Sequence, residues 1–260
     1  MKTFAIANQK GGVGKTSVAV NLSATLAHYG QRVLLIDLDP QGNATTGSGI
    51  DKNKLVASLY RVLLGEAEAA TALVRTEAGY AVLPANRELA GAEVELIDMD
   101  AREYRLRDAL AGVAADFDFA LIDCPPALNL LTVNALAAAD AVIIPMQCEY
   151  YALEGLSDLV GTLRKVKTKL NPRIEIEALV RTMYDPRAAL TAQVSNEIKK
   201  HFGDKVFDTV IPRNVRIAEA PSFGKPVILH DASSKGAQAH FAFARELLAR
   251  HGIAIPEAAR

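Results

Sequence analysis

The stretch Asn8-Gln9-Lys10-Gly11-Gly12-Val13-Gly14-Lys15-Thr16-Ser17 decides the fold of this 260-residue chain. The mostly apolar residues 2–7 before it predict a buried strand, and apolar residues recur at helical spacing over residues 18–27 after it. A strand, a glycine-rich turn and a helix that begins with Gly-Lys-Thr are the context of a phosphate-binding loop. In such a loop, backbone N–H groups and the positive end of the helix dipole surround an anion. The stretch therefore predicts a nucleotide site.

Individual residues of this loop have predicted roles. Lys15 is placed to reach the terminal phosphates, and Thr16 offers a hydroxyl to Mg²⁺. The usual pattern G-x-x-x-x-G-K-[ST] fails at its first position, where Gln9 stands instead of glycine, and a second lysine, Lys10, precedes the glycine pair. The residues predicted to bind the nucleotide here are Lys10, Gly11, Gly12, Val13, Gly14, Lys15, Thr16 and Ser17.

Two later apolar runs end in acidic residues. Residues 33–39 end in Asp37 and Asp39, and residues 117–123 end in Asp123. A carboxylate at the end of a parallel strand, facing the phosphate loop, is where Mg²⁺ is held, so Asp123 is predicted to be a metal ligand together with Thr16. Asp37 and Asp39 alternate onto the same face of their strand. Spacing therefore leaves open which of them orders Mg²⁺ or accepts a proton from the water that attacks the γ-phosphate.

Length and composition describe an ordinary globular chain. Half of the residues are hydrophobic, 23% are charged and the net charge is −1. That balance suits one α/β domain, and any contact with nucleic acid must come from a local basic patch. Two cysteines argue against a disulfide framework and fit a reducing cytosol. No signal peptide precedes the first strand and no apolar run is long enough to span a bilayer, so we expect a cytoplasmic protein.

Strand and helix patterns alternate along the chain. Further strands are predicted over residues 80–85, 141–146, 175–182 and 206–211, and helices over residues 54–64, 102–115, 128–139, 188–202 and 235–251. The alternation predicts an α/β fold with a doubly wound, mostly parallel sheet and helices on both faces. We expect a single domain over residues 1–260 with a short flexible tail at about 252–260. The nucleotide should lie at the C-terminal edge of the strands.

Three parts of the sequence carry a resemblance to a known family. Residues 10–16 resemble the deviant Walker A motif of the ParA/MinD family of ATPases, and residues 147–156 and 211–227 are similar to its chromosomal ParA (Soj) branch. The resemblance implies that ATP closes two subunits into a sandwich dimer. Lys10 would then reach the phosphates of the nucleotide in the partner subunit. It also implies that Asp39 positions the attacking water, so the catalytic residues would be Lys10, Lys15 and Asp39.

The same resemblance implies a DNA-binding function. Pro212 and Asn214 would frame the adenine, and Arg187 and Arg216 would bind double-stranded DNA without sequence preference. Lys235 stands where relatives tend to have arginine; it keeps the charge but lacks the guanidinium fork. The implied protein is a slow ATPase of chromosome or plasmid partitioning, associated with the nucleoid. Its hydrolysis of ATP would be stimulated by DNA and by a ParB-type partner.

Three other functions share parts of this pattern. A MinD-like membrane-associated ATPase would end in a basic amphipathic segment, but residues 252–260 are short, weakly basic and broken by Pro256. An iron–sulfur protein like the nitrogenase reductase would use two cysteines per subunit, but Cys124 and Cys148 do not lie in that family's cysteine motif. A metabolic ligase or kinase would need an acceptor pocket that no residue cluster in the sequence indicates.

Overall fold

A computed structural model describes residues 1–256 and shows one sheet with helices on both faces. The strand order is β3-β4-β2-β5-β1-β6-β7-β8, and every neighbouring pair is parallel except β3 and β4. The strands are β1 (Lys2–Ile6), β2 (Val33–Asp37), β3 (Val74–Arg75), β4 (Ala81–Leu83), β5 (Phe119–Asp123), β6 (Ala141–Gln147), β7 (Glu175–Tyr184) and β8 (Val206–Pro212). The predicted doubly wound α/β fold is confirmed.

This described part contains twelve α-helices, of which the first nine lie between strands and the last three follow β8. They are α1 (Lys15–His28), α2 (Asn43–Gly47), α3 (Leu59–Leu64), α4 (Ala69–Ala72), α5 (Leu89–Glu95), α6 (Arg105–Ala111), α7 (Leu130–Ala138), α8 (Ala152–Lys169), α9 (Ala189–Phe202), α10 (Val215–Glu219), α11 (Val227–His230) and α12 (Lys235–Arg250). The helix expected over residues 54–64 begins only at Leu59. Just before it, Ser58 has an extended backbone (φ −133°), and the Leu59 N–H donates to the Pro84 carbonyl (2.8 Å), so the chain is held outside helical geometry up to Leu59.

Side chains of the central strands alternate between two apolar layers. Leu34 and Ile36 of β2 enter the layer covered by α3, α5, α6, α7 and α8, whereas Val33 and Leu35 enter the layer covered by α1, α11 and α12. This alternation follows from the two-residue period of a strand. Because both faces are buried, the central strands read as continuous apolar runs.

The chain beyond α12 is packed as far as it is described. The Ile253 N–H donates to the Leu248 carbonyl (2.9 Å). Ile253 and Ile255 pack against the apolar layer that is covered by α1, α11 and α12. The flexible tail at about 252–260 stays a prediction. Residues 257–260 of that predicted tail lie outside the described residues.

Candidate functional site

The loop between β1 and α1 presents its backbone N–H groups to the C-terminal edge of the sheet. Gly12 and Gly14 have φ angles of +75° and +90°, a region that glycine enters without the steric cost of a Cβ atom. Helix α1 begins at Lys15, directly after Gly14. Within residues 1–256, no group accepts a hydrogen bond from the N–H groups of residues 11–17. The loop is therefore built to bind an anion at a helix N-terminus.

Lys15 lies inside this loop. Its side chain is buried, and its ammonium donates to the Lys10 carbonyl over 3.2 Å. Burial lowers the pKa of Lys15, and the negative charges of Asp123 and Asp39 act against that shift. A charged ammonium in this position requires nearby negative charge, which phosphate would add.

Asp123, at the end of β5, is a buried carboxylate without a hydrogen bond. It is 0% exposed, and neither of its oxygens has a hydrogen-bond partner among the described residues. Burial raises its pKa well above the ordinary value, and the charge of Asp37, its register partner on β2, adds to that shift. The Thr16 hydroxyl acts in the opposite direction on this pKa but does not reach hydrogen-bond geometry. Such an orphaned carboxylate is the kind of group that a bound cation satisfies.

The neighbouring pair Asp37 and Asp39 divides into two different environments. Asp37 is fully buried, and one of its oxygens accepts hydrogen bonds from both the N–H and the hydroxyl of Thr45 (2.7 Å each). Its other oxygen accepts from the Asp39 N–H (3.3 Å), so Asp37 holds the loop into α2 in place. Asp39 is partly exposed, and one of its oxygens accepts from the Gln41 N–H (2.9 Å). The structure therefore leaves Asp39 as the acid that is open to a water molecule.

Lys10 does not point into the loop of its own chain. Its ammonium pairs with the Glu149 carboxylate at 2.5 Å, and both side chains are about half exposed (45% and 50%). Glu149 follows β6 and was not singled out by the sequence. An exposed pair of this kind is worth little and exchanges easily for another partner.

A cavity of about 510 Å³ continues from the N-terminus of α1 toward the ends of β7 and β8. Thr16 and Ser17 line one end, and Met183, Pro212 and Asn214 line the other. The walls are mostly apolar, as expected of a site for a planar base next to a polar phosphate site. The predicted residues Pro212 and Asn214 are thus brought to the cavity, and Met183 is added to them.

Asn214 lines the cavity and also caps a helix. Its side-chain oxygen caps α10 by accepting hydrogen bonds from the N–H groups of Arg216 (3.0 Å) and Ile217 (3.3 Å). Gly236, in the first turn of α12, lies against the same cap. A Cβ atom at Gly236 would lie 2.6 Å from the Ile217 Cγ1 atom and 2.9 Å from the Asn214 oxygen. Only glycine permits this close approach of α12 to α10.

The residues predicted to contact DNA are Arg187, Arg216 and Lys235. Two of them, Arg187 and Arg216, are paired with carboxylates. Arg187 is 88% exposed and makes a two-pronged contact with Asp185, with both N–O distances 2.9 Å. This guanidinium holds the pKa of Asp185 down at about 2, and Arg213 adds to the effect. In the single chain Arg187 is therefore ion-paired.

Arg216 and Lys235 complete this group of basic residues. Arg216 contacts Glu219 at 2.9 Å and Asp231 at 3.4 Å. Lys235 is exposed at the start of α12 and makes no ion pair with the rest of the described chain. Asp231 lies only four residues before Lys235, so its carboxylate is shared locally between α10 and the segment leading into α12.

Two residues that contact the loop directly were missed by sequence reasoning. The Thr182 hydroxyl donates to the Val13 carbonyl (2.7 Å), and the Gln147 side-chain amide donates to the Gly12 carbonyl (3.1 Å). Gln147 ends β6 and Thr182 lies near the end of β7, so both are on the far side of β1 from β5 and far from the loop in sequence. No local pattern around either residue indicates the contact.

The residues present fit a nucleotide with Mg²⁺. Mg²⁺ usually takes one or two protein oxygens and fills its other positions with phosphate oxygens and water, and Asp123 and Thr16 supply such oxygens. Residues 1–256 contain no group of three or more His, Cys, Asp or Glu side chains arranged to hold a metal by themselves. No helix in the same part of the chain is both long and apolar enough to cross a bilayer.

A family model and two similar proteins match most of this chain. A family model described as an AAA domain matches residues 1–176. The chromosome partitioning protein ParA of Caulobacter vibrioides is 55% identical over 253 residues, which cover 96% of this chain and 95% of that protein. The sporulation initiation inhibitor protein Soj of Bacillus subtilis is 53% identical and covers 95% of this chain and 98% of its own length.

A solved structure extends the comparison to the bound state. The cobyrinic acid a,c-diamide synthase of Mycobacterium smegmatis, with bound ADP and magnesium, superposes with a TM-score of 0.85 at 40% sequence identity. The match covers 98% of both chains.

Proposed function

This chain belongs to the ParA/Soj family of chromosome-partitioning ATPases, and we propose that it partitions DNA as an ATP-driven dimer. ATP with Mg²⁺ binds at the loop between β1 and α1 and closes two copies into a sandwich dimer. The dimer binds double-stranded DNA without sequence preference, and a ParB-type partner stimulates hydrolysis and so releases it. The protein then acts in the cytoplasm, in association with the nucleoid.

One observation carries the nucleotide part of this proposal. The carboxylate of Asp123 is fully buried without a hydrogen-bond partner in the described chain, next to the buried ammonium of Lys15 and the free N–H groups of the loop. Leaving such a group unsatisfied costs stability, so its retention indicates a ligand. Asp123 and Thr16 would hold Mg²⁺, which neutralises charge on the phosphate oxygens. Lys15 and the N–H groups of residues 11–17 would bind the phosphates themselves.

Asp39 and Lys10 supply the hydrolytic step. Asp39 is open to solvent and lies close enough to Lys15 to act on its pKa, so it can orient a water molecule toward the terminal phosphate. Lys10 leaves its exposed pair with Glu149 and reaches the nucleotide of the partner subunit. Hydrolysis is slow because the lysine charge arrives only when two subunits meet.

Pro212 and Asn214 hold the base in the cavity. The Asn214 side-chain oxygen is occupied by the α10 cap, so its amide N–H₂ group is the part that remains to donate to a base nitrogen. Pro212 supplies an apolar wall.

Arg187, Arg216 and Lys235 form the DNA contact. Exposed arginine and lysine side chains neutralise phosphates without reading bases, and a dimer doubles their number. In the single chain Arg187 and Arg216 are paired with carboxylates, so phosphates must replace those carboxylates. We expect binding that depends on dimer formation and weakens steeply with salt.

The test is retention of DNA by the full chain with Mg²⁺ and ATP, ADP or no nucleotide, across a salt series. The Asp39→Ala variant is expected to bind ATP, form a dimer and retain DNA persistently, because hydrolysis no longer opens the dimer. Retention that is equal with ATP and ADP, or a monomer with ATP in Asp39→Ala, would contradict the proposal.

Two other functions are outcomes of the same set of assays. The name of the M. smegmatis structure, a diamide synthase, indicates amide-forming ligase chemistry at 40% identity, below the 55% of the C. vibrioides partitioning protein. Turnover that requires a carboxylate acceptor and ignores DNA would favour that function. ATP-dependent binding to lipid vesicles, with no retention of DNA, would favour a MinD-like membrane ATPase.

A further inference from the structure

We propose that Thr182 and Gln147 are positioning residues that aim the backbone N–H groups of the phosphate loop at the nucleotide. This inference rests on the nucleotide binding proposed above, and it assigns to β6 and β7 a part in it. Neither residue touches the reacting atoms. Both act through the peptide groups that do.

The two side chains hold consecutive carbonyl groups of the loop. The Thr182 hydroxyl, 3% exposed, donates to the Val13 carbonyl over 2.7 Å. The Gln147 amide donates to the Gly12 carbonyl over 3.1 Å. Gln147 and Thr182 are register partners on β6 and β7, so they stand side by side and face the same stretch of loop.

Holding a carbonyl fixes the direction of an N–H group. In a trans peptide the C=O of one residue and the N–H of the next lie in one plane and point in opposite directions. The bond from Thr182 to the Val13 carbonyl therefore turns the Gly14 N–H away from β7, toward the inside of the loop. The bond from Gln147 does the same for the Val13 N–H.

The loop needs such an external restraint because of its glycines. Gly12 and Gly14 both have positive φ, and glycine populates positive and negative φ about equally well. The peptide groups beside them can flip at little intrinsic cost, which would turn N–H groups away from an anion. A hydrogen bond to the outer carbonyl opposes that flip before any ligand binds.

The backbone of β7 is distorted at this point. Met183, next to Thr182, has φ +48°, which is uncommon for a residue with a side chain. Its sulfur accepts a second hydrogen bond from the Gln147 amide, and the residue lines the nucleotide cavity. An uncommon backbone conformation next to Thr182 is typical of a place where functional groups are positioned.

The experiment compares Thr182→Val, which removes the hydroxyl and keeps the shape, with Thr182→Ser, which keeps the hydroxyl. The dissociation constant for a fluorescent ATP analogue with Mg²⁺, KM, kcat and the unfolding midpoint of the nucleotide-free protein are measured for each. We expect Thr182→Val to weaken nucleotide binding about tenfold, because one oriented N–H contact to a charged group is lost. Thr182→Ser should bind within about twofold of the wild type, since a serine hydroxyl can make the same bond.

Thr25→Val is the matched control. Thr25 is a fully buried threonine of α1 whose hydroxyl donates to the Asn21 carbonyl (2.8 Å), away from the loop. It should lower the unfolding midpoint to a similar extent and leave the dissociation constant unchanged. Gln147→Met, at a partly exposed position, repeats the test where folding is not at risk. It is expected to raise the dissociation constant as well.

The outcomes separate this inference from the proposed function. If wild-type protein binds the analogue and Thr182→Val or Gln147→Met binds it equally well, the positioning role is wrong. Failure of Thr182→Ser to restore binding would also overturn it, because shape and not the hydroxyl would then matter. If wild-type protein itself fails to bind the analogue, the proposed function is what fails.

Discussion

Two regions of the molecule hold their charges in opposite ways. In the first, which we call the nucleotide edge, the buried carboxylates of Asp37 and Asp123 end parallel strands, Asp39 follows β2, and the buried Lys15 begins α1. The side-chain oxygens of Asp123 have no hydrogen-bond partner within residues 1–256. In the second, the arginine face, Arg187 and Arg216 are exposed and each is paired with at least one carboxylate. Neighbours of both regions line one cavity, with Gly14 and Thr16 beside Lys15 and with Asn214 and Ile217 on either side of the segment that carries Arg216.

The difference determines how each region responds to a ligand. A buried charge without a partner costs free energy, so a ligand that satisfies it gains that energy and binds as an integral part of the fold. An exposed pair contributes little, so replacing its carboxylate by a DNA phosphate is nearly balanced and depends on salt. The first region suits a nucleotide that stays bound through a cycle of turnover. The second suits DNA, which must bind and dissociate.

The largest expected effect tests the one acid of the nucleotide edge that is open to water. Asp39→Asn should lower the rate of ATP hydrolysis by about 10²–10⁴-fold, the usual loss on removing a general base, with ATP affinity retained. Asp51→Asn is the matched control, because Asp51 also accepts a hydrogen bond from an N–H two residues later. Hydrolysis at the wild-type rate in Asp39→Asn would mean that exposure does not mark the catalytic acid, and the division between Asp37 and Asp39 would be wrong.

A second prediction concerns the energetic cost of burial at the nucleotide edge. Burial raises the pKa of Asp37 to about 6 from 3.8, against the hydrogen bonds from Thr45. Because the folded state holds this proton more tightly, the stability from Asp37 is complete below pH 3.8 and is lost as pH rises through about 6. The loss is at most about 3 kcal/mol.

Urea unfolding of nucleotide-free protein at pH 4.5 and 7.5 measures this effect. The wild type should lose more stability between these pH values than Asp37→Asn does. An equal loss in both proteins would show that burial is not costly at this carboxylate, and the contrast with the arginine face would weaken.

A third prediction addresses the arginine face. Arg187→Gln and Arg216→Gln should each weaken ATP-dependent DNA retention about tenfold and lower its salt slope by about one per arginine in each subunit. Arg32→Gln is the control, because Arg32 is also exposed and paired with a carboxylate (Asp118, 2.7 Å). Arg32 lies just before β2, at the N-terminal ends of the parallel strands, opposite to the nucleotide edge. Equal losses from Arg32→Gln would indicate a diffuse charge effect and not a defined face.

The smallest expected effect concerns the carboxylates of that face. Asp185→Asn removes the partner of Arg187 and should raise DNA affinity about threefold at low salt, in line with the small worth of an exposed pair. The gain should disappear as salt is added. An affinity that falls would mean that Asp185 orients Arg187 for DNA, and the pair would then be part of the contact.

The order of strand, loop and helix at the nucleotide edge could be predicted from the sequence because its determinants are local. The loop, the strand before it and the helix after it are contiguous, and Asp123 ends a run of apolar residues that marks its own strand. Spacing left open the choice between Asp37 and Asp39, which only the resemblance made, because the different surroundings of Asp37 depend on Thr45, which follows it by eight residues and folds back onto it. Thr182 was still less accessible, since it contacts a residue 169 positions away in sequence.

The arginine face shows a different limit. Arg187 and Arg216 could be named from a resemblance, but their pairing with Asp185, Glu219 and Asp231 depends on side-chain positions that no periodicity encodes. The late start of α3 at Leu59 has a similar cause, because it depends on the contact of the Leu59 N–H with the Pro84 carbonyl, which lies after β4.

The close approach of Gly236 to Asn214 and Ile217 has a consequence for anyone who wishes to alter this protein. This contact joins the cavity wall that would select the base to α12, the helix that carries Lys235. Redesigning the chain for a different nucleotide therefore cannot be done at the cavity alone. Each change at Asn214 will also alter the cap of α10 and the packing of α10 against α12. A redesigned protein must therefore be tested for DNA retention as well as for nucleotide specificity.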